Sequence, residues 1–461
     1  MPSAVSARRG AAMPWVLGGM GLALAVGVLA WNRAWTHRQR AAVLSAQWQA
    51  QLLAESALAC AQDEVWARFQ GGNSSKPNST WTAVGSDSSR PLADSCPVPF
   101  GTRGSLSYEV EEGNLLVPVL ASGEVPFGDR TIRRSLRAVL AGALDKDMFD
   151  VAISQWVAST PPLDVAGSRI VGKIRIAATG APPSGMLGQP IGPLGLTSFV
   201  PNTGTLDTTV LSQRMKEAFR EEDAFQGGGT YSRGASFPHR EKIVHASFGS
   251  GNAEVIFDGP LSESARWKPP EGRTLVVEGD VVLRGHVDLD GWTILARGRI
   301  SLERGVRVRQ GLLFAERGVS LSENAVAQGQ ILAFSNLKVR DAAKILGPTV
   351  AVCWAGEKGG EVLFEGTSKV NAYLVALGPA STIRIDRESV LEGVAVSGGT
   401  LRVDGKLHGV GVAGRFDCGR GATSCTGTGT FDRTLLPADF VVPLGLPGAS
   451  SMRVARWEIV E

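Results

Sequence analysis

Asp288 and Asp290 are the residues best placed for chemistry in this sequence. They alternate in Val287-Asp-Leu-Asp, so both carboxylates share one face of a strand. Paired carboxylates on a rigid strand are what glycoside hydrolysis uses, and β-helix proteins that cleave polysaccharides place such groups on an exposed face. Glu303, Glu316 and Glu323 follow on later segments. Arginines are interspersed among these acids, however, and alternating charges describe any solvated strand face. Fold analogy alone does not carry function, so the expectation is a protein that is not an enzyme. No Ser-His-Asp order, phosphate-binding loop or Gly-x-Gly-x-x-Gly before a helix stands out. Gly227-Gly-Gly reads as a hinge.

The histidines (His37, His239, His245, His286, His408) are scattered, and no Cys or His grouping has metal-ligand spacing. No metal and no cofactor is therefore expected. Of the cysteines, Cys418 and Cys425 bracket a short Gly-rich loop, while Cys60 and Cys96 would tie a helix to the segment after it. Both pairs read as candidate disulfides in an oxidising compartment, with free thiols as the alternative. Cys353, within Val350-Ala-Val-Cys-Trp, reads as a small buried hydrophobe.

The elements that would position these groups begin with a long helix. Pro14 to Trp31 is an uncharged apolar run, including Trp15, Leu17, Leu22, Leu24, Leu29 and Trp31. It is long enough to span a bilayer. A cleaved signal peptide is the competing reading, but the helical pattern continues through the would-be cleavage site. Arginines flank both sides (Arg8 and Arg9; Arg33, Arg38 and Arg40), so charge alone leaves orientation open. Beyond the run, Leu44, Trp48, Leu52, Leu58, Val65, Trp66 and Phe69 fall near one helical stripe, interrupted by Glu55 and Gln62. Alanines fill many other positions and favour helix without demanding burial. The stripe would pack on the protein's own head, on neighbouring subunits, or on each along different lengths.

Several short segments resemble the PilX-type minor pilins of type IV pilus systems. They are Arg8-Arg9-Gly10-Ala11-Ala12-Met13 before the apolar run, Ala54-Glu55-Ser56-Ala57-Leu58, Phe149-Asp150-Val151-Ala152-Ile153 and Gly167-Ser168-Arg169-Ile170-Val171-Gly172. The resemblance covers roughly the first 175 residues. One position departs from it: typical prepilins carry a Glu shortly after the processing Gly, and counted from Gly10 that place holds Trp15, behind Pro14. The resemblance implies a small sheet packed on the helix and other pilin-like subunits as partners through the helix.

At 461 residues the chain has length for two or three domains, and a net charge of +3 gives no nucleic-acid footprint. Abundant Gly without a collagen period suits a β-rich fold. Residues 1–70 read as transmembrane and stalk helix, 71–105 as a polar linker, and 106–180 as a small antiparallel sheet module. Residues 181–250 read as an irregular insert with one helix, about Thr209 to Phe225. From 251 to 430, apolar cores such as Thr293-Ile-Leu-Ala, Leu312-Leu-Phe-Ala, Ile331-Leu-Ala-Phe and Tyr373-Leu-Val-Ala recur about every twenty residues. Alternating pieces such as Thr382-Ile-Arg-Ile-Asp and Thr400-Leu-Arg-Val-Asp lie between them. That period predicts a parallel β-solenoid, with an antiparallel sandwich as the competing fold. Residues 431–461 would cap one end.

The fold class expected is thus α+β, mostly β: a long N-terminal transmembrane and stalk helix, a small antiparallel sheet and a C-terminal parallel β-solenoid. The function expected is structural or adhesive, a low-copy or tip component of a type IV pilus or related filament. It would be a single-pass inner-membrane protein with its head in the periplasm or outside the cell, and a surface or polysaccharide is a further partner for the head. The alternatives are an anchored or secreted carbohydrate-binding or carbohydrate-cleaving β-helix protein, and a self-polymerising envelope scaffold.

Overall fold

The computed structural model describes residues 12–71, 104–110, 116–144, 150–155, 169–176, 224–226, 229–232, 243–247, 254–258, 261, 264, 266, 274–277, 279–354, 359–417, 429–437, 440–443 and 449–460. It is mostly β, with one long helix, a small antiparallel sheet and a parallel β-solenoid of about eight turns. Helix α1 runs unbroken from Ala12 to Gly71. The sheet comprises β1 (Ser105–Val110), β2 (Val117–Phe127) and β3 (Arg130–Leu144), with Val441–Val442 and Ala449–Val460 along the free side of β3. β2 and β3 form a hairpin whose two-residue turn opens on Gly128 at φ +58°, a conformation that suits the twist of paired strands and costs Gly little.

Each solenoid coil contributes three short strands, and each strand pairs in parallel with its counterparts above and below. The first face runs through Thr293–Ala296, the second half of Arg307–Ala315 and Lys369–Leu377. The second runs through Arg299–Leu302, Gly318–Leu321, Asn336–Val339 and Glu361–Phe364. The third begins with Asp288–Asp290 and continues through the starts of the longer strands. Alternate residues point inward and form one continuous core, including Ile294, Leu313, Ile331, Leu374 and Ile383. At the corner after the second face, the pairs Glu323-Asn324 and Asp341-Ala342 both take positive φ in successive coils, turning the chain sharply at the same place.

The first face explains the sequence's uninterrupted apolar cores. Its outward residues, among them Phe314, Leu332, Val350, Tyr373, Val394 and Val412, are buried against Val139 and Ala141 of β3 and Phe440 and Val442 of the C-terminal segment. These strands are covered on both sides, and such strands read as apolar runs rather than alternations. The opposite face of β3, with Leu136, Ala138 and Leu140, meets α1. The layers are therefore helix, sheet and solenoid. On the second face the alternation is polar outward, with Arg384–Asp386 and Arg402–Asp404 ion pairs, both at 2.8 Å.

Three expected boundaries are corrected. Residues 106–180 are not one sheet module: Val151–Gln155, Arg169–Val171 and Lys173–Ile176 leave the sheet and stack in parallel on the solenoid's last coils, Ile153 beside Gly411 and Ile170 beside Phe431. Residues 181–250 are not solely an insert, because Ala224–Gln226, Gly229–Ser232 and Ile243–Ser247 belong to the solenoid. The helix expected over 209–225 lies outside the described residues except for Ala224 and Phe225, which are in a strand. Residues 431–461 are not an end cap: Ala449–Val460 completes the antiparallel sheet. The linker expected over 71–105 lies largely outside the described residues.

Candidate membrane and assembly helix

From Leu17 to Trp31 the described side chains of α1 are exposed. Leu17, Leu22, Leu24, Leu29 and Trp31 are 63%, 70%, 68%, 63% and 69% exposed. This is one helix long and apolar enough to cross a membrane. Trp15 lies in the same helix, its side chain outside the described residues. Arg33, His37, Arg38 and Arg40 then form an exposed basic neck.

From Ala46 onward the helix docks on the sheet, by a face different from the one expected. Ala46, Ala50, Leu53, Ala54, Ala57, Leu58, Ala61 and Val65 are buried against β1, β2, β3 and Met452. Their steps of three and four mark one side of a helix. Leu44, Trp48 and Leu52 do not share that side with Leu58 and Val65: they project away from the sheet, 55%, 64% and 46% exposed. The alanines, which need not be buried for helix formation, are the docking face, because small side chains let the backbones approach. At Gly123 of β2 an added Cβ would stand 2.1 Å from the Ala50 carbonyl oxygen and 2.7 Å from the Ala54 nitrogen. Repeated alanines at helical spacing were the signal for this face.

Polar contacts fix the register. The Gln62 side-chain amide donates to the Met452 carbonyl at 3.0 Å, and the Tyr108 hydroxyl donates to the Glu64 carboxylate. Cys60 is disulfide-bonded; Cys96, Cys418 and Cys425 lie outside the described residues, so the two expected pairings are not placed. Cys353 is free and buried, and burial pushes its thiol up to about 12.

The candidate acids are not gathered in a cleft. Asp288 and Asp290 do share one side of a third-face strand, but Arg309 on the next coil reaches both, at 3.2 Å and 3.4 Å. Glu323 pairs with Arg304 at 3.3 Å on the corner between the second and third faces. Glu316 sits at a different corner, where burial raises its carboxyl above the ordinary range against the opposing pull of Arg297 and Arg317. Among the described residues no group of three His, Cys, Asp or Glu side chains could hold a metal ion.

Comparison with protein-family models, curated proteins and solved structures finds no match to this chain.

Proposed function

We infer that this chain is a membrane-rooted structural protein that holds a rigid β-solenoid head away from a bilayer. Its stalk is available to a neighbouring helix. The observation that carries this reading is the division of α1 into three lengths: an exposed apolar length, a basic neck, and a length docked by its alanine face with Leu44, Trp48 and Leu52 turned outward. A helix that buries one side on its own head and leaves Leu and Trp on the other is suited to side-by-side packing with a second helix. The small-residue docking keeps the head close to the stalk, so a neighbour meets helix first. In its finer form the reading is pilin-like, a low-copy or tip subunit of a filament, with display or adhesion as the task of the head.

The test is a pull-down of the full chain from detergent-solubilised membranes, set against the full chain carrying Leu44→Ser, Trp48→Ala and Leu52→Ser. Recovery of other helix-stalked membrane proteins with the unaltered chain alone supports an assembly stalk. Equal recovery with both chains, or none with either, leaves the helix as a plain anchor.

A further inference from the structure

The third face of the solenoid carries a column of cations. Arg307, Lys344, Lys369, Lys406 and Arg169 lie on one line of successive Cα partners. Lys344 and Lys369 are direct neighbours, and single uncharged residues (Val326, Val390, Thr430) separate the others. Parallel rungs stand about 4.8 Å apart, so positive charge recurs at about 5 or 10 Å along a flat, rigid face. Lys344, Lys369, Lys406 and Arg169 are exposed, and the three lysines form no ion pair among the described residues. The acids nearby are partly committed: Asp288 at the head of the column is held by Arg309, and Asp432 accepts from the Thr434 backbone N–H and hydroxyl. Glu392 and His408 stand one column away.

Beside Lys344 and Lys369 the column borders a cleft of about 350 Å³ between solenoid and sheet. Asn371 supplies a polar group to it, and Pro437 and Phe440 an apolar wall. Gln328 donates to the Gly347 carbonyl and accepts from Arg456, Arg456 also reaches Glu458, and Thr349 accepts from the Gly329 N–H, so these three line the cleft with their polar atoms already engaged. The volume suits a small ligand, and the Asn371 amide beside the Phe440 ring suits a sugar.

We propose that this column and cleft bind an extended acidic polysaccharide, its carboxylates paired with Lys344, Lys369 and Lys406 and one sugar ring seated beside Asn371 and Phe440. Each sugar of a linear chain advances by about one rung, so acidic groups on neighbouring or alternate sugars meet the cation spacing without bending the polymer. A single-stranded nucleic acid is the less suited polyanion, because the site offers one aromatic ring, in the cleft, and none along the column on which successive bases could stack. The inference rests on the display reading above, since it names what the displayed head holds.

The test uses the full chain in detergent, with a polygalacturonate oligomer as probe and a dextran oligomer and single-stranded DNA as comparisons. Lys344→Gln, Lys369→Gln and Lys406→Gln are introduced together; Lys338→Gln, on the second face, is the control. Polygalacturonate binding is expected to weaken about tenfold or more in the triple variant and to show a shallower salt dependence, while the control stays as the unaltered chain. Asn371→Trp, which fills the cleft, should also weaken it. Equal binding by the triple variant and the control overturns the proposal, as does dextran binding as tightly, or DNA binding more tightly with the same sensitivity. Circular dichroism confirms that each variant is folded; should the triple variant unfold, the single Lys369→Gln is read in its place. Polysaccharide binding is measured without neighbouring subunits, so its absence from the unaltered chain, with stalk recovery intact, overturns this inference and leaves the assembly-stalk reading standing.

Discussion

A methyl group on Gly123 would lie 2.1 Å from the carbonyl oxygen of Ala50, so sheet and stalk helix meet backbone to backbone. Gly123→Ala must push α1 away from β2 and loosen the packing of Leu53, Ala54 and Ala57. Overpacking of this kind costs about 1–3 kcal/mol. Chemical denaturation should show that loss, whereas Gly27→Ala, where an added Cβ meets nothing within 4 Å, should leave the midpoint in place.

The two sides of the stalk separate stability from association. Ala54→Leu on the docked side should destabilise the head by about 1–3 kcal/mol. Trp48→Ala on the outward side should change stability by no more than about 0.5 kcal/mol and reduce recovery of partner subunits. Denaturation midpoints and pull-down yields, measured on the same samples, check both.

Arg309 neutralises two carboxylates, one of them, Asp288, with a side chain only 7% exposed. Arg309→Ala strands that buried charge and should cost about 1–3 kcal/mol. The Arg309 side chain is itself 39% exposed, which keeps the cost below that of a fully buried pair. Replacing Asp288 by Asn in the same chain should restore part of the loss, and a double-mutant cycle from melting curves reads the coupling.

The Cys353 thiol, raised to about 12 by burial, stays protonated and shielded in the folded head. A maleimide probe at neutral or mildly alkaline pH should leave it unmodified in the native chain and label it after denaturation. Mass spectrometry of the peptide containing Cys353 distinguishes the two states.

Asp432 accepts from Thr434, and that bond holds its carboxyl below the ordinary 3.8. A folded-state value below the unfolded one stabilises the head above that range and is lost as pH falls through the folded value. Asp432→Asn should therefore lower the melting temperature at neutral pH and narrow its difference from the unaltered chain in acid. Melting curves across the acid range check the direction.

The period of the solenoid was legible because each coil repeats an apolar core and an alternating piece. The alternation at Thr382-Ile-Arg-Ile-Asp correctly placed arginine and aspartate in water. The sequence hid what covers the first face: Val394-Ala-Val is apolar throughout because two partners bury it, and a run that short does not say which. It also hid the return of Arg453-Val-Ala-Arg-Trp to β3, since strand pairing across so long a separation leaves no local mark. On the stalk, leucine and tryptophan drew attention to Leu44, Trp48 and Leu52, while the docked face was written in alanine. The cation column is spread over segments far apart in sequence, and only the stacking register brings Lys344, Lys369 and Lys406 into line.

The bond from Gln62 to the Met452 carbonyl spans 390 positions of chain. During synthesis the stalk therefore emerges long before the strand that completes its seat. Through that interval the free side of β3 lies open beside the first coils to form, an edge that invites wrong pairing. The antiparallel sheet is therefore complete only once Ala449–Val460 has been made, however much of the solenoid has stacked before then.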